Sequence, residues 1–176
     1  MEKIKLVRPT IEWKEKALAY REEHFAAGEK VINGSELLDQ IDSYEQWLEQ
    51  VSENTNPQTV SATWVLTDTF FAVRETDQKI IGIIDLRHTL NDFLKDFGNC
   101  GYSVAPTERK KGYATEMLRL LLLHAADCGI EKLHLSVEKS NEASIRTIVK
   151  NGGNYERSFT FEGELADIYG LDCRKI

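Results

Sequence analysis

The sequence predicts an α+β fold: a mixed, mostly antiparallel central sheet with flanking helices, in the order β-α-α-β-β-β-α-β-α-β-β. Three observations carry this. Two helical periodicities follow one short N-terminal strand. Three apolar runs between residues 69 and 106 come next, the first two joined by a three-residue polar turn, which implies antiparallel strands. The pattern then changes to strand, helix, strand, helix, and such a crossover places its two strands parallel and side by side.

Residues 3–10, KIKLVRPT, alternate as a first strand ended by Pro9 and Thr10, with Thr10 available as an N-cap. Residues 11–28 form an amphipathic helix with Ile11, Ala17, Leu18, Tyr20 and Phe25 apolar and Gly28 as its stop. Residues 43–54 form a second helix, capped by Ser43 and presenting Tyr44, Trp47, Leu48 and Val51 at helical spacing. Strands follow over 69–75, 79–90 and 98–106, with Thr76-Asp77-Gln78 as the hairpin turn. Residues 113–129 form a helix apolar nearly all round, hence largely buried, stopped by Gly129. Residues 132–138 alternate as a strand, and a short helix opens at Asn141 and closes at Gly152. Residues 154–163 and 165–173 finish the chain as a strand pair.

The 176 residues suit one domain, 1–176, with a sizeable core. With 41 % hydrophobic and 29 % charged residues, the composition is that of a globular protein. No apolar run approaches the roughly 18–20 residues that span a bilayer, and the N-terminus lacks the apolar stretch of a signal peptide, so no membrane role and a cytoplasmic location are expected. Cys100, Cys128 and Cys173 form no C-x-x-C pair, and the four histidines show no ligand spacing, so no metal is expected. A net charge of −7 argues against a nucleic-acid partner, which selects for a basic face. The charge is uneven. Residues 11–53 carry eleven Asp/Glu against four Lys/Arg, whereas residues 105–119 carry four Lys/Arg against two Glu.

That basic stretch, Ala105 to Arg119, sits where a strand turns into a helix. A helix N-terminus exposes unpaired N–H groups, and its dipole favours an anion such as phosphate. Gly112 allows close approach to the backbone, and Arg109, Lys110 and Lys111 supply positive field. Solvated cations ahead of a helix are the plainer alternative. The pattern Arg109-x-x-Gly112-x-Ala114 resembles the [Q/R]-x-x-G-x-[G/A] signature of the GNAT superfamily of acetyl-CoA-dependent N-acetyltransferases. Asn141-x-x-Ser144, opening a helix that ends at Lys150-Asn151-Gly152, resembles that family's second motif on the CoA side. The order of elements is also similar, so the likeness covers nearly the whole chain. Two departures stand out: Ile148 occupies the position where many members carry a tyrosine acid, and Gly152-Gly153 stands where many have Gly-Phe.

The resemblance implies acetyl-CoA as cosubstrate and an amine-bearing acceptor. It implies pyrophosphate binding by the backbone from Arg109 to Ala114, including Tyr113 and extending to Thr115, with Lys110 or Lys111 available to the adenosine 3′-phosphate. Tyr102, Ser103 and Val104 would offer a strand edge to the pantetheine, the Val104 N–H facing the thioester oxygen. Asn141 is a helix cap that in the family also reaches the cofactor arm, with Ser144 beside it. For the base, Asp85 and His88 are candidates, His88 for its near-neutral pKa, although a surface or packing role is its plainer reading. For the acid, Tyr169 and Tyr155 are candidates, although tyrosine on a terminal strand commonly packs. The acidic first third suits a cationic amine or simple solubility. Protein N-termini, ribosomal-protein amines, polyamines and aminoglycosides are not separated, and a homodimer is admitted. The main alternative is a catalytically weak CoA-binding sensor, which Ile148 motivates. A protein binding another nucleotide ranks lower, for want of G-x-x-x-x-G-K-[S/T].

Overall fold

The computed structural model describes residues 1–175. Its elements are β1 (Ile4–Val7), α1 (Lys14–Ala26), α2 (Tyr44–Glu53), β2 (Thr67–Arg74), β3 (Ile80–Arg87), β4 (Tyr102–Val104), α3 (Tyr113–Asp127), β5 (Lys132–Glu138), α4 (Glu142–Lys150), β6 (Asn154–Phe161) and β7 (Glu164–Asp172). The order is the predicted one. Two sheets form, β1-β2-β3-β4 and β5-β7-β6, and their ladders are antiparallel.

The first sheet is buried on both faces. Phe70, Ala72, Ile84 and Leu86 pack with Met117, Leu118 and Leu121 of α3. Phe71, Val73 and Ile83 pack with Tyr20 of α1 and Trp47 of α2, the Trp47 ring stacking on Phe71 at 5.9 Å. A strand covered on both faces has no polar side to show, which is why β2 and β3 read as continuous apolar runs.

The expected parallel pair is corrected. β4 and β5 are consecutive strands of a crossover, yet they lie in different sheets and share no ladder among the described residues. The strand expected over 98–106 shrinks to Tyr102–Val104 because the chain before it is tied elsewhere. Gly98 bridges Leu135, the Asn99 N–H donates to the His134 carbonyl (2.7 Å), and the Asn99 side chain accepts from the His134 N–H (2.8 Å) while donating to the Arg87 carbonyl (2.9 Å). Asn99 thus joins the two sheets at one end, and beyond it β4 and β5 stand apart, leaving a cleft.

Two caps follow expectation. Ser43 accepts from the Gln46 N–H (3.3 Å) and Asn141 accepts from the Ser144 N–H (3.1 Å). Thr10 does not: it precedes a 3-10 turn over Ile11–Trp13, makes no side-chain cap bond, and its carbonyl instead accepts from the Tyr44 hydroxyl at 2.7 Å. Among the described residues, no helix is long and apolar enough to cross a membrane.

Candidate active site

The basic turn is built for its backbone. After Pro106–Glu108 the chain passes through left-handed conformations at Lys110 (φ 62°) and Gly112 (φ 87°), and Gly112 is the residue immediately ahead of α3. Backbone N–H groups from Arg109 through Thr115 donate to no protein acceptor among the described residues. Such a concave run of amides at a helix N-terminus is an anion cradle. A Cβ on Gly112 would touch only the Met1 sulfur, at an ordinary 3.5 Å, so conformation rather than space requires glycine there.

The three cations do different work. Arg109 makes a two-pronged ion pair with Glu29 (2.5 and 2.7 Å) and donates through Nε to the Val104 carbonyl (3.1 Å), fastening the turn to β4 and to the end of α1. Burial raises the Glu108 carboxyl, but Lys111 (2.9 Å), Lys79 (3.0 Å) and Arg74 (3.0 Å) outweigh it and bring the pKa down to about 2. Lys111 is therefore engaged. Lys110 has no ion-pair partner among the described residues and faces the cleft.

That cleft holds two cavities. One, of 640 Å³, runs along the turn, with Tyr102, Ser103 and Val104 on one wall, Tyr113, Ala114 and Thr115 at its end, and Asn141, Ser144 and Thr147 opposite. The other, of 690 Å³, is lined by Trp64, Phe93, Phe97, Phe159 and Phe161, with Glu138, Glu162 and Glu164 among them. Asn33, Tyr102, Asn141 and Ser144 line both, so the cavities meet between β4 and β5. Ladder bonds from the Asp85 N–H to Gly101 and from the Ala105 N–H to Ile81 fix the odd-numbered residues of this stretch as those bonded to β3. By alternation, the N–H groups of Tyr102 and Val104 point away from the sheet, toward the cleft.

Behind this junction lies a carboxyl pair. Asp85 is fully buried; its Oδ1 accepts from the Gly101 N–H at 2.6 Å, and its Oδ2, 3.3 Å from the Arg87 guanidinium, has no hydrogen-bond partner among the described residues. Glu36 approaches it from the loop between α1 and α2. Burial raises its pKa to about 9, and the adjoining Asp85 adds to the rise. Glu36 and Leu37 both adopt left-handed φ (50° and 69°), a conformation costing about 1–3 kcal/mol per non-glycine residue, so the surroundings must impose it. Trp47 does so in part, donating to the Ser35 and Glu36 carbonyls (3.0 and 3.1 Å). Gly34 completes it: a Cβ there would lie 2.2 Å from the Gly101 oxygen.

A family model described as an acetyltransferase (GNAT) domain matches residues 16–154. The chain belongs to the GNAT acetyltransferase family. Acetyl-CoA is its cosubstrate, and its activity is that of an acyl-CoA-dependent N-acetyltransferase. No curated protein matches the sequence. Among solved structures the GNAT chain is similar to RimL, a ribosomal-protein α-N-acetyltransferase in complex with coenzyme A (13 % identity, 96 % of this chain and 93 % of that one, TM-score 0.69). It is similar to the microcin C7 self-immunity acetyltransferase MccE in complex with acetyl-CoA and AMP (16 %, 98 % and 93 %, 0.69). It is also similar to mutant forms of the spermidine/spermine N-acetyltransferase SpeG from Vibrio cholerae (14 %, 98 % and 95 %, 0.66). At these identities the likeness is one of fold.

Within this GNAT domain the expected cofactor residues Tyr102, Ser103, Val104, Arg109, Lys110, Tyr113, Ala114, Thr115, Asn141 and Ser144 all line the 640 Å³ cavity, whereas Lys111 and Gly112 support it from outside. The catalytic candidates separate. Asp85 stands behind the junction and, like Glu36, lines neither cavity itself, although Gly34 and Gly101 beside the pair line the aromatic one; His88 lies on the opposite, α3 side of the sheet, its Nε2 2.7 Å from Asp68, and also lines neither. Tyr169 is packed in the core with its ring edge-on to Tyr155, and lines neither. Ile148 is buried and walls the aromatic cavity. The Tyr102 hydroxyl has no partner among the described residues, and burial pushes its pKa up to about 12 despite the nearby Ser144 and Thr147 hydroxyls. Reading the sequence missed Glu36, one of eleven acids in its segment, and also Arg146 and Lys150, which face the same cavity as Lys110.

Proposed function

We propose that the protein transfers the acetyl group of acetyl-CoA directly to a primary amine carried on an apolar body, with residues 1–176 acting as one domain. The observation that carries this is the meeting of the two cavities: one runs from a phosphate cradle, the other is aromatic with carboxylates, and the latter is lined by Gly34 and Gly101, behind which the Glu36–Asp85 pair lies. Backbone amides from Arg109 to Thr115 bind the pyrophosphate. Lys110, with Arg146 and Lys150, meets the 3′-phosphate. The pantetheine lies along β4, and the Val104 N–H faces the thioester oxygen, where it stabilises the oxyanion that develops on attack. The aromatic rings hold the acceptor's body, while Glu138, Glu162 and Glu164 attract its charge. RimL and the spermidine/spermine acetyltransferase act on a protein amine and a polyamine by name, and both kinds of acceptor present a cationic amine to such carboxylates.

Glu36 is the base. A carboxylate of pKa about 9 is matched to an alkylammonium, so it takes the amine's proton far more readily than an ordinary glutamate. Asp85 does not touch the acceptor; it adds to the rise in pKa that burial causes. The Tyr102 hydroxyl, buried where the cavities meet and without a partner among the described residues, is the donor we assign to the departing thiolate. We place the protein in the cytoplasm and allow a homodimer through β6, which pairs on one side only and exposes Tyr155 and Phe161.

The sensor reading rests on Ile148, which offers no proton where many members have a tyrosine. A panel of amines assayed by thiol release from acetyl-CoA decides between the two. The enzyme reading expects turnover with amines on aromatic or aliphatic bodies and little with small hydrophilic ones. Silence across the panel, with acetyl-CoA bound at micromolar affinity, would leave the sensor.

A further inference from the structure

At the end of α3 remote from the phosphate cradle, four side chains from three elements converge. Asp68 opens β2, His88 follows β3, and His124 and Cys128 stand one helical turn apart at the end of α3. Asp68 Oδ2 is 2.7 Å from His88 Nε2 and 3.0 Å from His124 Nε2. His124 Nε2 is in turn 3.6 Å from Cys128 Sγ. The Asp68, His88 and Cys128 donor atoms all lie within 4.8 Å of one another.

We propose that Asp68, His88, His124 and Cys128 form a binding site for a zinc-like divalent cation. A tetrahedral ion with N and O ligands at about 2.0–2.2 Å and sulfur at about 2.3 Å holds its donor atoms roughly 3.3–3.8 Å apart. The His124–Cys128 separation already fits and the two Asp68 contacts need to open by well under an ångström, whereas His88 and His124 stand farther apart than the Asp68, His88 and Cys128 group and must swing toward one another to share the ion. Two imidazoles, one carboxylate oxygen and one sulfur make a borderline-soft set, suited to zinc and unsuited to magnesium or calcium. The other carboxylate oxygen, Oδ1, accepts from Arg8 at 2.8 Å, which fixes the Asp68 carboxylate as outer partners of metal ligands do. The Phe70 ring, edge-on to His124 at 5.0 Å, holds that imidazole in place, and the exposed Cys128 gives an ion a way in. No linear motif announces the site, because the ligands come from separate stretches of chain. The plainer alternative is a hydrogen-bonded cluster in which both imidazoles donate to Asp68.

Bound there, the ion pins the end of α3 to β2 and β3. Since α3 runs from Tyr113 to Asp127, at about 1.5 Å per residue the site lies roughly 20 Å from the cradle, and it adds no step to acetyl transfer.

Metal-stripped protein titrated with cobalt(II), whose spectrum reports coordination, tests this. The expected result is saturation at about one equivalent, with the intense visible bands of a tetrahedral ion and a thiolate charge-transfer band. Cys128→Ser should abolish the charge-transfer band, and His124→Ala should weaken binding by more than the roughly 10- to 100-fold that follows loss of an outer partner. Circular dichroism of the metal-free variants checks folding, and the exposed position of Cys128 makes serine there harmless. Absence of saturable binding, an octahedral spectrum, or a spectrum unchanged in folded Cys128→Ser would overturn the site and leave the hydrogen-bonded cluster.

Discussion

Gly112→Glu is expected to weaken acetyl-CoA binding by at least about 100-fold in a calorimetric titration, equivalent to roughly 2.7 kcal/mol. Two effects add. A side chain at φ 87° costs about 1–2 kcal/mol in a left-handed conformation, and relief of that strain turns the amides of the cradle away from the ligand. The new carboxylate also sits at the end of a helix that favours anions and repels the pyrophosphate. Gly112→Ala carries only the first effect, and the 3.5 Å clearance to Met1 adds nothing, so its loss should be nearer tenfold. Equal affinity of Gly112→Glu and wild type would remove the cradle from the account.

Glu36→Gln is expected to lower kcat by about 10²- to 10⁴-fold, the range of a general base, with acetyl-CoA affinity unchanged. It carries a second signature that separates lost chemistry from lost folding. The folded-state pKa of Glu36, about 9, lies above its ordinary 4.5, so the folded chain holds that proton more tightly than the unfolded one. The stability this provides is complete below about pH 4.5 and is lost as pH rises toward 9. Glutamine has no proton to lose. The variant should therefore match wild type in thermal unfolding near pH 4.5 and exceed it at pH 8. An inactive protein that is also less heat-stable at pH 8 would point to a disrupted loop.

The fold was legible because its signals are local. Helical spacing around Trp47, the glycine stops and the Thr76-Asp77-Gln78 turn fix elements whatever packs against them, and the order of elements follows. The cradle was legible for the same reason: its chemistry belongs to consecutive amides, and Gly112 marks it. What could not be read depends on distant contacts. Glu36 and Asp85 meet only because Trp47 and Gly34 press one loop onto another, and no spacing in the sequence signals a pair 49 positions apart. The junction at which β4 and β5 begin to part is tied by Asn99, which bonds to His134 and Arg87 yet looks like an ordinary loop residue in the sequence. His88 suggests itself as a base by its residue type and its place just after the strand that carries Asp85. It lies three residues after Asp85, and residues an odd number apart on a strand face opposite ways, which put it on the α3 side with Asp68. Among the three cations of the turn only partners distinguish the roles: Glu29 takes Arg109, Glu108 takes Lys111, and Lys110 faces the cleft.

The claim that Glu36 deprotonates the acceptor, its pKa raised by burial and further by Asp85, is tested most directly by the pH dependence of kcat/KM in wild type and Asp85→Asn. This ratio reports ionisations of the free enzyme and free substrate. Removing the Asp85 charge removes one cause of the raised Glu36 pKa, so the acid limb, near pH 9 in wild type, should move to lower pH in the variant. A limb set by the ionisation of the amine itself stays where it is, and an acid limb at the same pH in both proteins would contradict the assignment of Glu36 as the base.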